Sequence, residues 1–168
     1  MKSSAKLLLI LPVFLLAFTR QSTLTITSSA FTANGTIPAK YSCNGVGVSP
    51  PLNITGIPQG TRSLAIIVHD PYAPHPGGVT HWVAWNLPLD GNIPEDFKGG
   101  SQGMNSNHQT GYKPICPNAG THHYHFKVYA LDAVLHLGSN TDKAALEKAM
   151  QGHILAQGDL VGLYSKTQ

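Results

Sequence analysis

The sequence predicts a mainly β protein, and three observations point there. Charged residues fill only 11% of the 168 positions, while 17 glycines and 12 prolines punctuate the chain, a balance that favours a loop-rich β fold over a helical bundle. Apolar runs rich in β-branched and aromatic residues recur at 63–69, 81–87 and 122–132. Helical periodicity is convincing in one place, near 141–151. The length suits one domain with a sizeable core.

Each element has a local cause. Residues 23–26 alternate as a short strand does, and TANGTIP at 32–38 is turn chemistry. Pro50 and Pro51 hold SPPLNI extended. Leu64 to Val68 is an unbroken apolar run, which predicts a strand buried on both faces. Pro71, Pro74 and Pro76 cannot donate ladder hydrogen bonds, so that strand stops at about Asp70. Past Gly77 and Gly78, residues 81–87 form a second strand, closed by Pro88. Residues 89–121 are rich in Gly, Asn, Pro and Ser and show no clear element, which marks a functional or disordered stretch. HHYHFKVYALD at 122–132 is the third strong strand, and HILAQGDLVGLY at 153–164 a final one. The helix has Thr141 or Asn140 as its cap, Asp142 in its first turn and Gly152 at its end, with Leu146, Ala149 and Met150 on one apolar face.

Residues 1–22 read as a secretory signal peptide. Lys2 and Lys6 precede an apolar stretch over 7–18, too short to span a bilayer comfortably, although an uncleaved anchor is a competing reading. The domain then covers 23–168, works in the periplasm or outside the cell, and keeps no transmembrane span after processing. The formal net charge is +3, and setting aside Lys2 and Lys6 leaves nine basic residues against eight acidic. No Lys/Arg run survives, so the electrostatic footprint of a nucleic-acid binder is missing. Cys43 and Cys116 are the two cysteines. In an oxidising compartment they form one disulfide, and as two buried thiols they need no partner. Without a CxxC, redox exchange and structural zinc are poorly supported.

If the strands at 63–69 and 81–87 pair as antiparallel neighbours, Asp70 and His81 share one sheet edge, at the mouth of a loop stiffened by proline. By strand parity His122, Tyr124, Phe126 and Val128 share one face and His123, His125 and Lys127 the other. The first face turns apolar along its length and so faces the core, with His122 and Tyr124 at its polar start. Asp70, His81, His122 and Tyr124 therefore converge at one sheet end, offering donors to a phosphate or carboxylate, with Asp70 orienting an imidazole and favouring its charged form.

These residues lie within stretches that together resemble the phosphatidylethanolamine-binding protein family, in its bacterial Raf-kinase-inhibitor-like branch. The stretches are SPPL at 49–52, DPYAP at 70–74, HWVAWNLP at 81–88, QGMNS at 102–106, GYKPICPN at 111–118, HHYHFKVYALD at 122–132 and GHILAQGDLVGLY at 152–164. The resemblance implies a central antiparallel sheet with a smaller second sheet and peripheral helices, and a small anion pocket at Asp70, Pro74, His81, His122 and Tyr124. It also makes a Cys43–Cys116 disulfide more credible, since both cysteines lie in stretches that flank the family's pocket. Three departures bear on ligand preference: Tyr72 replaces the second acid of the usual DPDAP, Pro114 and Asn118 alter the pocket wall, and Lys113 adds a cation.

The expected function is a non-enzymatic binding protein for a phosphate, carboxylate or phosphoethanolamine-like group, without a cofactor. His81 and His122 would donate to the anion, Tyr124 would add a hydroxyl, Asp70 would hold the imidazoles and Pro74 would fix the loop. Two alternatives stand beside it: a hydrolase using Cys116 as nucleophile, and a metal site at His123 and His125. Family members are also linked to inhibition of kinases or proteases, so a protein partner is a further expectation, and a homodimer is compatible with the sequence.

Overall fold

A computed structural model describes residues 22–166. The signal peptide expected over 1–22 therefore lies almost wholly outside the described residues. Nine strands and one α-helix follow in order: β1 (Ser22–Thr23), β2 (Thr25–Thr27), β3 (Leu52–Thr55), β4 (Ser63–Asp70), β5 (Val79–Leu87), β6 (Asn92–Ile93), β7 (Ser101–Gln102), β8 (Thr121–Leu131), α1 (Lys143–Met150) and β9 (Ile154–Ser165). They build a six-stranded sheet in the order β1-β9-β8-β4-β5-β7 and a three-stranded sheet in the order β2-β3-β6. The large sheet is antiparallel except at its edge, where β1 runs parallel to β9. The expected antiparallel sheet is thus mixed at one margin, because the chain at 22–27 is shared between the two sheets rather than spent on one strand.

The central strand β4 is buried on both faces, as its unbroken apolar run requires. Leu64, Ile66 and Val68 join Trp82, Phe126, Val128, Ile54 and Ile93 in the core between the sheets. Ala65 and Ile67 face the other way and join Val83, Trp85, Leu131, Leu146 and Met150 beneath α1. Asp142 caps α1, its Oδ1 accepting from Ala145 N at 2.8 Å. Neither Thr141 nor Asn140, the two caps read from the sequence, takes that place, and Thr141 instead donates its hydroxyl to the Gly138 carbonyl one turn earlier. Among the described residues α1 is the one α-helix, where the resemblance implies several peripheral ones.

Two irregularities in the β4–β5 pairing decide where side chains point at the sheet's end. The register steps from Leu64↔Leu87 to Ala65↔Trp85, and again from Val68↔Trp82 to His69↔Thr80. Asn86 and His81 are the extra residues at these two β-bulges. Asn86 adopts φ 55° and its amide grips both backbone groups of Leu135.

Candidate functional site

Strand alternation alone would turn His81 away from the face that carries Trp82. The bulge cancels that half-turn, so the His81 ring points to the same side as Tyr124, meeting it edge-on with centroids 5.3 Å apart. β4 delivers Asp70 at its last residue, and β8 delivers His122 and Tyr124 at its start. All four, together with Pro74 from the loop and Lys113 and Cys116 from the segment after β7, line one cavity of about 120 Å³ at the end of the large sheet. The structure therefore brings every one of the five sequence-predicted site residues to the same hollow. Larger hollows elsewhere, of about 360 and 460 Å³, hold at most one histidine each and are less suited to a small anion.

The loop between β4 and β5 is shaped by its own backbone. Asp70 Oδ1 accepts from Tyr72 N at 2.9 Å, and Gly78 N donates to His75 O at 2.9 Å. Gly78 has φ +76°, and a Cβ there would lie 2.3 Å from the Asp70 carbonyl, so only glycine lets the loop close onto the strand end.

The acid and the two imidazoles are held differently from the sequence-based picture. Asp70 Oδ2 accepts from His122 Nδ1 at 2.6 Å, and both side chains are largely withdrawn from solvent. His81 does not share this carboxylate. Its Nδ1 donates to the Lys113 carbonyl at 3.0 Å, while Lys113 N donates back to His81 O at 2.7 Å. Asp70 thus holds one imidazole, not two, because the bulge places His81 beside the 113 backbone.

Burial pushes the His81 pKa down to about 4, outweighing the nearby Lys113 and Pro114 carbonyls, which favour the charged ring; the Lys113 cation adds to the depression and the Asp70 charge opposes it. The ring is neutral at pH 7, so the expectation of a donating, protonated His81 is corrected. Tyr124 is fully buried, and burial followed by the charge of Asp70 raises its pKa, keeping the phenol as a donor. Burial also lowers the pKa of Lys113, whose ammonium makes no ion pair among the described residues.

The depressed His81 pKa has a consequence for stability. The unfolded chain takes up this proton near pH 6.5 and the folded ring only near 4. Stability is therefore full above pH 6.5 and falls as pH drops through that window, by roughly 3 kcal/mol from this one ring. His69, whose pKa burial also lowers, acts in the same direction. Urea midpoints recorded between these limits should decrease steadily toward the acid side, and a flat profile would contradict a dry, neutral His81.

The wall opposite β4 is fastened by the disulfide. Cys43 and Cys116 are bonded, with Cα atoms 5.4 Å apart, and Cys43 N donates to Ile115 O at 3.0 Å. Tyr112 Oη donates to the Tyr41 carbonyl at 2.9 Å just before it. With its sulfur in this bond, Cys116 has no thiolate to offer, which removes the hydrolase alternative built on it. His125 Nδ1 is taken by Asp159 at 2.8 Å and His123 lies against Tyr72, and among the described residues no group of three His, Cys, Asp or Glu side chains is placed to hold a metal. In the sequence Lys113 stands out only as an added cation. Its role in fixing the His81 ring uses its backbone carbonyl, which no side-chain pattern announces.

Comparison with known proteins agrees with the fold. The family profile described as phosphatidylethanolamine-binding protein matches residues 27–165. The UPF0098 protein PH1269 of Pyrococcus horikoshii is 49% identical over 150 residues, covering 83% of this chain and 75% of its own. A UPF0098 protein of Chlamydia muridarum is 44% identical over 147 residues, covering 84% of this chain and 98% of its own. Among solved structures, a phosphatidylethanolamine-binding protein homolog from Chlamydia trachomatis superposes with a TM-score of 0.83 at 41% identity, over 86% of this chain and 99% of that one. The Escherichia coli protein YbcL, described as a member of the mammalian family, gives 0.79 at 28% identity, over 88% and 100%. The chain thus belongs to the phosphatidylethanolamine-binding protein family.

Proposed function

We propose that this protein is a non-enzymatic receptor for a small oxyanion, bound in the cavity at the end of the large sheet. One observation carries it. Asp70, His81, His122 and Tyr124 line a hollow of about 120 Å³, while the Nε2 atoms of both rings and the Tyr124 hydroxyl have no protein hydrogen-bond partner among the described residues. A phosphate or carboxylate is of the right size, with Tyr124 and Lys113 as donors and the Nε2 of His122 as a third when that ring is charged. Asp70 keeps His122 oriented through its Nδ1. Pro74 stiffens the opposite lip.

The disulfide supports work in an oxidising compartment, in line with the export signal read at 1–22. There the same cavity suits an anion carried on a larger partner, such as a phosphorylated or acidic side chain. Phosphate, phosphoethanolamine and acetate should be titrated into the full chain while the histidine NMR signals are followed. Saturable shifts at His81 and His122, with His153 unmoved, are the expected result. Silence at both pocket histidines would end the receptor reading.

A further inference from the structure

His81 is the pocket group whose hydrogen-bonding role the backbone dictates. Its Nδ1 faces the Lys113 carbonyl, an atom that can only accept, so Nδ1 carries the proton and the neutral ring presents a lone pair at Nε2. The residue is only 3% exposed, yet Nε2 is not sealed off: among the described residues the one sealed side-chain nitrogen or oxygen without a partner is Trp85 Nε1. With His81 lining the cavity, that lone pair opens onto it. We propose that His81 makes the pocket selective for tetrahedral oxyanions that retain a proton, namely inorganic phosphate and phosphomonoesters, over fully ionised anions such as sulfate and phosphodiesters. This selectivity rests on the receptor reading and narrows its ligand class.

The physical reason is a matched or mismatched pair of lone pairs. A P–OH group donates to Nε2, its proton staying on the phosphate oxygen, while Tyr124 and Lys113 serve the remaining oxygens. Sulfate has the same shape and no proton to give near pH 6, so one of its oxygens must face the Nε2 lone pair of a buried ring. A phosphodiester, the form of phosphate in an intact phospholipid, also lacks the P–OH, whereas a phosphomonoester keeps it with a pKa near 6.

Calorimetric titrations of the full chain at about pH 6 separate these cases, using inorganic phosphate, phosphoethanolamine, sulfate and dimethyl phosphate as probes. Phosphate and phosphoethanolamine are expected to bind at least about ten-fold more tightly than sulfate and dimethyl phosphate. In His81→Phe the phosphate-to-sulfate ratio should shrink to within about two-fold. Should that variant fail to fold, nitrogen-15 spectra of the unaltered protein serve instead: the His81 signals should show a proton on Nδ1, and phosphate but not sulfate should shift Nε2. Sulfate or dimethyl phosphate binding as tightly as phosphate overturns the selectivity and leaves the receptor standing. If none of the four binds, the receptor reading falls, and the selectivity with it.

Discussion

Replacing Cys43 and Cys116 together by serine should cost about 4 kcal/mol of folding stability, read as a lower urea midpoint with a somewhat steeper slope, because the unfolded chain without the bond expands and exposes more surface. That magnitude reflects the 73-residue separation of the two cysteines, since a long loop closed in the unfolded chain forfeits much of its entropy. A domain of this size is stable by only about 5–15 kcal/mol, so this is a large share. The effect on the pocket should be distinct from the effect on stability. Cys116 lines the cavity, but Ile115 is fully buried and accepts from Cys43 N, and Tyr112 is tied to the Tyr41 carbonyl. The wall therefore keeps its place in the folded double variant, and phosphate affinity at low temperature should change by less than about three-fold, or under 1 kcal/mol. A wild-type midpoint in the variant would show that the bond contributes nothing to the fold.

Trp82→Ala is the second large effect, expected at about 4 kcal/mol. Trp82 is fully buried in the core between the sheets, and its Nε1 donates to Gln102 Oε1 at 2.7 Å, joining β5 to β7. Its ring meets Tyr112 edge-on at 6.0 Å and Phe97 at 6.4 Å. Truncation removes the apolar contact, opens a cavity and strands the Gln102 carbonyl. Trp82→Phe keeps most of the packing and loses the hydrogen bond, so it should cost about 1–2 kcal/mol. If the two variants proved equally damaging, the hydrogen bond rather than the packed ring would be the main stabilising feature.

Much of this arrangement is legible in the residues because the signals are local. The apolar run at 64–68 forces a strand buried on both faces, the prolines after Asp70 end it, and parity in 122–128 places His122 and Tyr124 on the core side, as observed. What escapes a sequence reading is non-local. The bulge that turns His81 inward depends on how β5 registers against β4, and nothing in HWVAWNLP marks the extra residue. The partner of His81 is a backbone carbonyl from a segment without regular structure, so the sequence offered Asp70 for both rings when it serves one. The two-residue strands β6 and β7 are likewise invisible inside 89–121, since pairing with β3 and β5, not their own composition, makes them strands. For the helix start, Asn140, Thr141 and Asp142 are all competent caps by type, and only the geometry selects Asp142.

The central claim is that three separate strand ends build one oxyanion seat. A crystal structure of the protein grown from phosphate solution tests it most directly. Tetrahedral density should appear in the cavity, within hydrogen-bonding distance of Tyr124 Oη and of Nε2 on His81 and His122, with Asp70 still on His122 Nδ1. Phosphate found only on the protein surface, with these side chains placed as described and the cavity holding water alone, would contradict it.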